Sequence, residues 1–120
     1  MQTQQTLEFV LDKIDDLKAR DIKVFDVSET STITDQMVIC SGNSKKHVQS
    51  IAEHVAIEMK AIDDAPLGVE GMEAGEWVLV DFGDVVVHVM QESTRDFYQL
   101  EKLWQSAIDS TDDETSEEQE

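Results

Sequence analysis

Apolar residues recur at the spacing of an α-helix in three parts of the chain. Residues 6–19 carry them three and four positions apart, which predicts an amphipathic helix. A second helix is predicted after Ser44 and a third after Ser93, because serine side chains cap helix starts. The three buried stripes consist of Leu7, Val10, Leu11, Ile14 and Leu17, then Val48, Ile51, Ala52, Val55 and Met59, and last Phe97, Leu100, Leu103, Trp104 and Ala107.

Shorter segments between these helices have the patterns of β-strands. Residues 21–27 predict one strand, and the continuous apolar run at 36–40 is typical of a central strand covered on both faces. Residues 67–70 predict a short edge strand, and residues 76–90 predict two more. The resulting order, α-β-β-α-β-β-β-α, indicates one α/β domain with a five-stranded sheet.

The segment 76–90, EWVLVDFGDVVVHVM, is the most informative part of the chain. Its Gly83-Asp84 pair suits a two-residue hairpin turn, which would pair Phe82 with Val85. In that register an apolar face holds Val78, Val80, Phe82, Val85, Val87 and Val89, and a mixed face holds Trp77, Leu79, Asp81, Val86, His88 and Met90. The apolar face predicts core. The mixed face, with Trp and Met beside a carboxylate and an imidazole, predicts a protein-binding surface unless a helix covers it.

Charge narrows the class of partner. The formal net charge is −18, and because residues 109–120 hold seven acidic residues and no basic one, −11 remains for residues 1–108. Such a charge repels phosphate backbones, so direct nucleic-acid binding is not expected, and it favours a basic protein partner. Solubility alone also explains an acidic surface.

Residues 109–120 lack apolar periodicity, which predicts a disordered acidic tail after a domain at 1–108.

Cysteine content and hydropathy bear on the compartment. Cys40 is the single cysteine and lies in an apolar run, which indicates a small buried hydrophobe and fits the reducing cytoplasm. No apolar run approaches the roughly 20 residues of a membrane span, and the N-terminus lacks the pattern of a signal peptide. We therefore expect a cytoplasmic protein without a membrane partner.

Four blocks of the sequence resemble one known family. They are TSTITDQMVICSGNS at 30–44, LGVEG at 67–71, EWVLVDFGDVVVHVM at 76–90 and DFYQLEKLW at 96–104. In this order and spacing they resemble the ribosomal silencing factor family, also called the Iojap-like family. The resemblance covers about residues 7–104, and the four blocks together are highly specific whereas any one alone is weak.

The resemblance implies a fold and a function. It implies a mixed sheet flanked by helices, with a nucleotidyltransferase-like topology but without that activity. It also implies binding to ribosomal protein fourteen of the large ribosomal subunit, at the surface that meets the small subunit. Occupying this surface would block subunit association and lower translation under nutrient limitation. We accordingly expect a translation repressor that is not an enzyme, needs no cofactor or metal, and is a monomer or a weak homodimer.

A nucleotide-binding or nucleotidyltransferase-like enzyme is the alternative. Gly42-Asn43-Ser44 at a helix start, with Lys45 and Lys46, could cradle a phosphate. Asp81 and Asp84 could hold a divalent metal. These two carboxylates lie three positions apart around a turn, however, whereas two on one face of a strand need a spacing of two. A capped helix and a turn aspartate explain the same residues.

Overall fold

The computed structural model describes residues 2–29, 34–99 and 102. The elements are α1 Thr3–Asp16, β1 Arg20–Asp26, β2 Gln36–Gly42, α2 Lys45–Ala61, β3 Gly68–Glu70, β4 Trp77–Asp81, β5 Val85–Gln91 and α3 Glu92–Tyr98. The sheet has the order β1-β2-β5-β4-β3. The β2–β5 pair is parallel and the other three pairs are antiparallel. The predicted element order and the mixed five-stranded sheet are thus confirmed.

Parts of the prediction fall outside the described residues. These are the domain boundary at residue 108, the acidic tail at 109–120, and the assignment of Leu100, Leu103, Trp104 and Ala107 to a buried stripe. They stay predictions.

Local hydrogen bonds set the ends of α1, which begins and ends three residues before the predicted bounds of 6–19. The backbone N–H of Gln2 donates to the side-chain oxygen of Gln5 at 3.0 Å and closes the first turn. Lys18 has a left-handed backbone with φ of 64°, which a helix cannot continue. The N–H of Ala19 then bonds back to the carbonyl of Ile14 at 3.1 Å.

The starts of α2 and α3 differ in how well the sequence predicted them. The hydroxyl of Ser44 accepts from the N–H of His47 at 3.0 Å, so this predicted cap is confirmed. The predicted cap at Ser93 is wrong, because α3 follows β5 without a gap and its capping position is Gln91. The strand extends to Gln91 because it pairs with β2 up to that residue. Phe97, predicted to be core, is 80% exposed.

A group of hydrogen bonds at the carbonyl of Asp84 ties the hairpin turn to the start of β2. This oxygen accepts from the N–H groups of Asp35 and Gln36, each at 3.0 Å. It also accepts from the hydroxyl of Thr34 at 2.8 Å. The first residues of β2 and β5 are therefore fixed side by side, with Gln36 beside Val85.

The predicted hairpin register is confirmed. The N–H of Phe82 donates to the carbonyl of Val85 at 2.9 Å, and Leu79 lies opposite His88. Gly83 has φ of +89°, a conformation that its lack of a Cβ allows in the tight turn. Phe82 lies on the apolar face as predicted, but it is only half-buried because it lies at the turn end of the hairpin.

The two faces of the sheet carry separate apolar clusters. The larger one joins α1 and α2 to the valine-rich face; its buried members are Leu7, Val10, Ile14, Val38, Cys40, Val48, Ile51, Ala52, Val55, Met59, Val78, Val80, Val85, Val87 and Val89. The smaller one lies on the opposite face and consists of Phe25, Val27, Met37, Ile39 and Met90, with Trp77 packed against it. The short helix α3 contacts this second face near the ends of β2 and β5. The two long helices thus leave the mixed face of the hairpin to α3 and to solvent.

Two isoleucines of α2 provide a matched test of this division. Ile51 is fully buried, whereas Ile57 is 56% exposed. Ile51→Ala should lower the free energy of unfolding by about 2–5 kcal/mol, because it leaves a cavity in the larger cluster. Ile57→Ala should change it by no more than about 0.5 kcal/mol. Urea unfolding of both variants measures the difference, and equal losses would show that α2 packs through another face.

Candidate protein-binding surface

A shallow groove of about 370 Å³ runs along the mixed face at the edge of the sheet. Its lining residues are Glu70 and Gly71 at the end of β3, Trp77 and Leu79 of β4, and His88 of β5. Strand alternation explains the set, because Leu79 pairs with Glu70 on one side and with His88 on the other. Three neighbouring strands therefore each contribute side chains to one concave surface.

The centre of the groove is a hydrogen-bonded pair. The indole Nε1–H of Trp77 donates to Nδ1 of His88 at 2.9 Å, and the ring centroids lie 5.9 Å apart. An indole nitrogen can only donate, so Nδ1 of His88 carries no proton in this arrangement. Burial lowers the pKa of His88 to about 4. The histidine is therefore neutral at physiological pH, with its proton on Nε2.

Two exposed aromatic side chains of α3 extend this pair into a row. The ring of Tyr98 lies 5.0 Å from that of Trp77, and Phe97 meets Tyr98 edge to face at 5.0 Å. Tyr98 is 56% exposed. Exposed aromatic side chains grouped in this way are typical of protein interfaces. We refer to Trp77, His88, Tyr98 and Phe97 together as the aromatic row.

Sequence reasoning missed the part of this row that lies on α3. It assigned Phe97 to the core and did not single out Tyr98. One signal could have found Tyr98. Adjacent positions on a helix point in different directions, so Tyr98 could not share the buried stripe that was predicted for Phe97. Arg95 takes the buried position of α3 and donates to the hydroxyl of Ser41 at 2.9 Å. Its guanidinium also donates to the backbone carbonyl of Asp21 at 2.8 Å, which holds α3 to the sheet.

One acidic residue lines the groove, and others are neighbours of the row in the sequence. Glu70 is exposed at the groove, Glu76 immediately precedes Trp77, and Asp96 precedes Phe97 on α3. The half-buried carboxylate of Asp81 accepts from the N–H of Gly83 at 2.8 Å through Oδ1. Its second oxygen, Oδ2, does not take part in this bond. Among the described residues that line the groove, none carries a positive charge. The surface therefore fits a partner that is both apolar and basic.

The six residues predicted for partner binding lie together on this face, but at different depths. Trp77, Leu79 and Asp81 of β4 are half-buried and reach the surface. The β5 side chains Val86 and His88 are 8% and 7% exposed, and Met90 is fully buried in the smaller cluster. The β4 residues thus form the accessible layer, and the β5 residues form the layer beneath it.

Several residues of the enzymatic alternative form structural contacts. At the start of α2 the N–H of Asn43 donates to Nδ1 of His47 at 2.9 Å, and Nε2 of His47 lies 2.7 Å from the carbonyl of Leu17. The carboxylate of Asp84 accepts from the hydroxyl of Thr3 at 2.9 Å. No group of three or more metal-ligating side chains occurs in the described parts of the chain.

The position of Cys40 agrees with a further expectation. Cys40 is buried in the larger cluster, as predicted, and burial raises the pKa of its thiol to about 12. A thiol of that pKa is a poor nucleophile at neutral pH. Within residues 2–29 and 34–99, no helix has both the length and the apolar composition to cross a membrane.

Comparison with known proteins gives one consistent result. The sequence model of the family described as "Ribosomal silencing factor during starvation" matches residues 1–120. The ribosomal silencing factor of Haemophilus influenzae is 43% identical over 98 residues, which cover 82% of this chain and 96% of that protein. A mouse protein named "Mitochondrial assembly of ribosomal large subunit protein 1" is 39% identical, over 82% of this chain and 44% of its own length.

Solved structures agree with the fold. A crystal structure of a protein from Chromobacterium violaceum superposes with a TM-score of 0.86 at 38% identity, and the match covers 88% of each chain. A crystal structure from Bacillus halodurans gives a TM-score of 0.78 at 39% identity, covering 84% of this chain and 94% of the other.

The buried His88 predicts a specific dependence of stability on pH. Its folded pKa of about 4 lies below the ordinary histidine value of 6.5, so the unfolded chain binds the proton more readily between these values. Stability is therefore lost as the pH falls from 6.5 towards 4. Between pH 6.5 and 4.5 wild type should lose about 2 kcal/mol more than His88→Asn. Urea unfolding across this range measures both slopes, and parallel slopes would show that His88 accepts a proton in the folded state.

Proposed function

The chain belongs to the ribosomal silencing factor family, and we propose that it represses translation by binding ribosomal protein fourteen of the large ribosomal subunit. Bound there, it blocks association with the small subunit. Family membership supports a ribosome-associated silencing role. The name of the mouse relative refers to the large subunit, and the family description refers to starvation, which supports repression under nutrient limitation.

The observation that carries the proposal is the aromatic row with the acidic residues Glu70 and Asp81 on the same face of the sheet. Proteins that bind ribosomal RNA carry lysine and arginine to neutralise phosphates, so a ribosomal protein presents a basic surface. A chain with a net charge of −18 is attracted to that surface and repelled by bare RNA. Aromatic anchors then supply short-range affinity where the two proteins exclude water.

We propose a division of roles among the six residues of the mixed face. Trp77, Leu79 and Asp81 contact the partner, since they are the members that reach the surface. Val86, His88 and Met90 support them from the layer beneath. Blocking a surface requires no reacting group, so the chain acts by occupancy and not as an enzyme. The engaged side chains of Asp84 and His47 support this view over a nucleotide-handling site.

Removing the central aromatic side chain tests the surface. Trp77→Ala should weaken binding to the large subunit by about 2 kcal/mol or more, which is roughly 30-fold, as loss of a central interface anchor does. Co-sedimentation of the protein with isolated large subunits over a concentration series gives the affinity. Ile57→Ala is the control, because this residue is exposed on α2 on the other side of the sheet.

Thermal unfolding of the same variants separates lost binding from lost folding. If the proposed surface is correct, Trp77→Ala folds but binds weakly, whereas Ile57→Ala binds like wild type. A folded Trp77→Ala protein with wild-type affinity would place the contact elsewhere.

The carboxylate of Asp81 tests the electrostatic part of the proposal. Asp81→Asn keeps an oxygen that can accept from Gly83 but removes the negative charge. Affinity for the large subunit should fall by about 0.5–2 kcal/mol at low salt, and the difference from wild type should shrink as salt rises. Asp15→Asn, exposed on α1, is the matched control and should bind like wild type. A salt-independent loss for Asp81→Asn would indicate a structural effect and contradict charge pairing.

A further inference from the structure

Trp77 stands at the middle of the aromatic row although it is only half-buried. A partly exposed side chain keeps rotamer freedom unless a specific contact removes it, and freezing it on binding costs affinity. An orientation of Trp77 that is fixed before binding would therefore need a specific contact within the fold.

We propose that His88 is a positioning residue for partner binding: its unprotonated Nδ1 holds the Trp77 indole in the orientation that the partner recognises. This inference rests on the proposed function and assigns a specific role to one residue of the layer beneath the surface.

The geometry favours orientation over mere space-filling. The Nε1–H of Trp77 is the only donor on its side chain, and it is directed at His88 over 2.9 Å. The two residues are not directly paired across the strands, because Trp77 lies opposite Met90 and His88 lies opposite Leu79. The bond therefore crosses the hairpin diagonally and fixes the tilt of the indole. The same tilt sets the 5.0 Å contact between Trp77 and Tyr98.

The surroundings of His88 keep it an acceptor. In the parallel register Ile39 of β2 lies beside it, and Leu79 of β4 lies on the other side. The imidazole is 7% exposed in this apolar setting, which disfavours a charged ring. A neutral ring whose Nδ1 lacks a proton is the form that can accept from an indole.

A pair of nearly isosteric substitutions separates the two roles. In His88→Asn the side-chain oxygen takes the place of Nδ1 and can accept from the indole. In His88→Leu a side chain of the same shape offers no acceptor, so the indole N–H must turn towards water to find a partner. A merely structural position that is 7% exposed should prefer leucine, whereas a positioning acceptor should prefer asparagine.

Two quantities are measured for each variant. They are the affinity for isolated large subunits at pH 7.5 and the temperature of thermal unfolding. We expect His88→Leu to unfold at or above the temperature of His88→Asn yet to bind about tenfold more weakly than wild type. His88→Asn should bind within about threefold of wild type. It should therefore lose no more than roughly half of the binding free energy that His88→Leu loses. Equal affinities of the two variants, or stronger binding by His88→Leu, would overturn the proposal.

The Trp77→Ala variant distinguishes failure of this inference from failure of the proposed function. If Trp77→Ala binds weakly and His88→Leu binds like wild type, the surface is correct and the role of His88 is refuted. If Trp77→Ala itself binds like wild type, the proposed surface fails and the inference fails with it.

Nuclear magnetic resonance of ¹⁵N-labelled free protein gives a second readout that does not depend on the ribosome. The indole N–H of Trp77 should exchange with water slowly in wild type and in His88→Asn, and faster in His88→Leu. Loss of one indole signal in Trp77→Ala assigns the resonance. Equal exchange rates in the three proteins would contradict a retained hydrogen bond.

Discussion

The parallel pairing of β2 with β5 is the constraint on which the rest of the structure depends. The two strands run side by side from Gln36 and Val85 to Gly42 and Gln91, and they form the centre of the sheet. Parallel strands cannot be joined by a tight turn, so the chain between them must cross over the sheet. Helix α2 is part of that crossover and packs with α1 on the valine-rich face. The opposite face is left to the short helix α3 and to the surface.

The β4–β5 hairpin extends this constraint to the proposed protein-binding surface. Because β5 is fixed against β2, the tight turn at Gly83 fixes β4 in register, and alternation decides which side chains point outwards. A slip of one residue would bury Asp81 in the helical core and expose valines to solvent. The same register that stabilises the core thus places Trp77 within hydrogen-bonding distance of His88.

The sequence predicted what depends on local pattern and missed what depends on contacts between distant segments. The Gly83-Asp84 turn and the alternation around it are local, so the hairpin faces were predicted correctly. The start of α3 depends on how far β5 pairs with β2, which the signal at Ser93 does not contain. The burial of Met90 likewise depends on Phe25 and other residues of the smaller cluster, which come from β1, the residue that follows it, and β2. The hairpin sequence alone therefore shows which face a residue takes but not how deep it lies.

The larger apolar cluster and the proposed binding surface thus lie on opposite faces of one sheet, and occupancy of a ribosomal surface is the proposed consequence. Density-gradient sedimentation of both ribosomal subunits, with and without the protein and under conditions that favour joining, tests this most directly. At saturating protein the peak of joined particles should shrink, and the protein should travel with free large subunits and be absent from the joined ones. An unchanged joined peak at saturation, or protein travelling with joined particles, would contradict it.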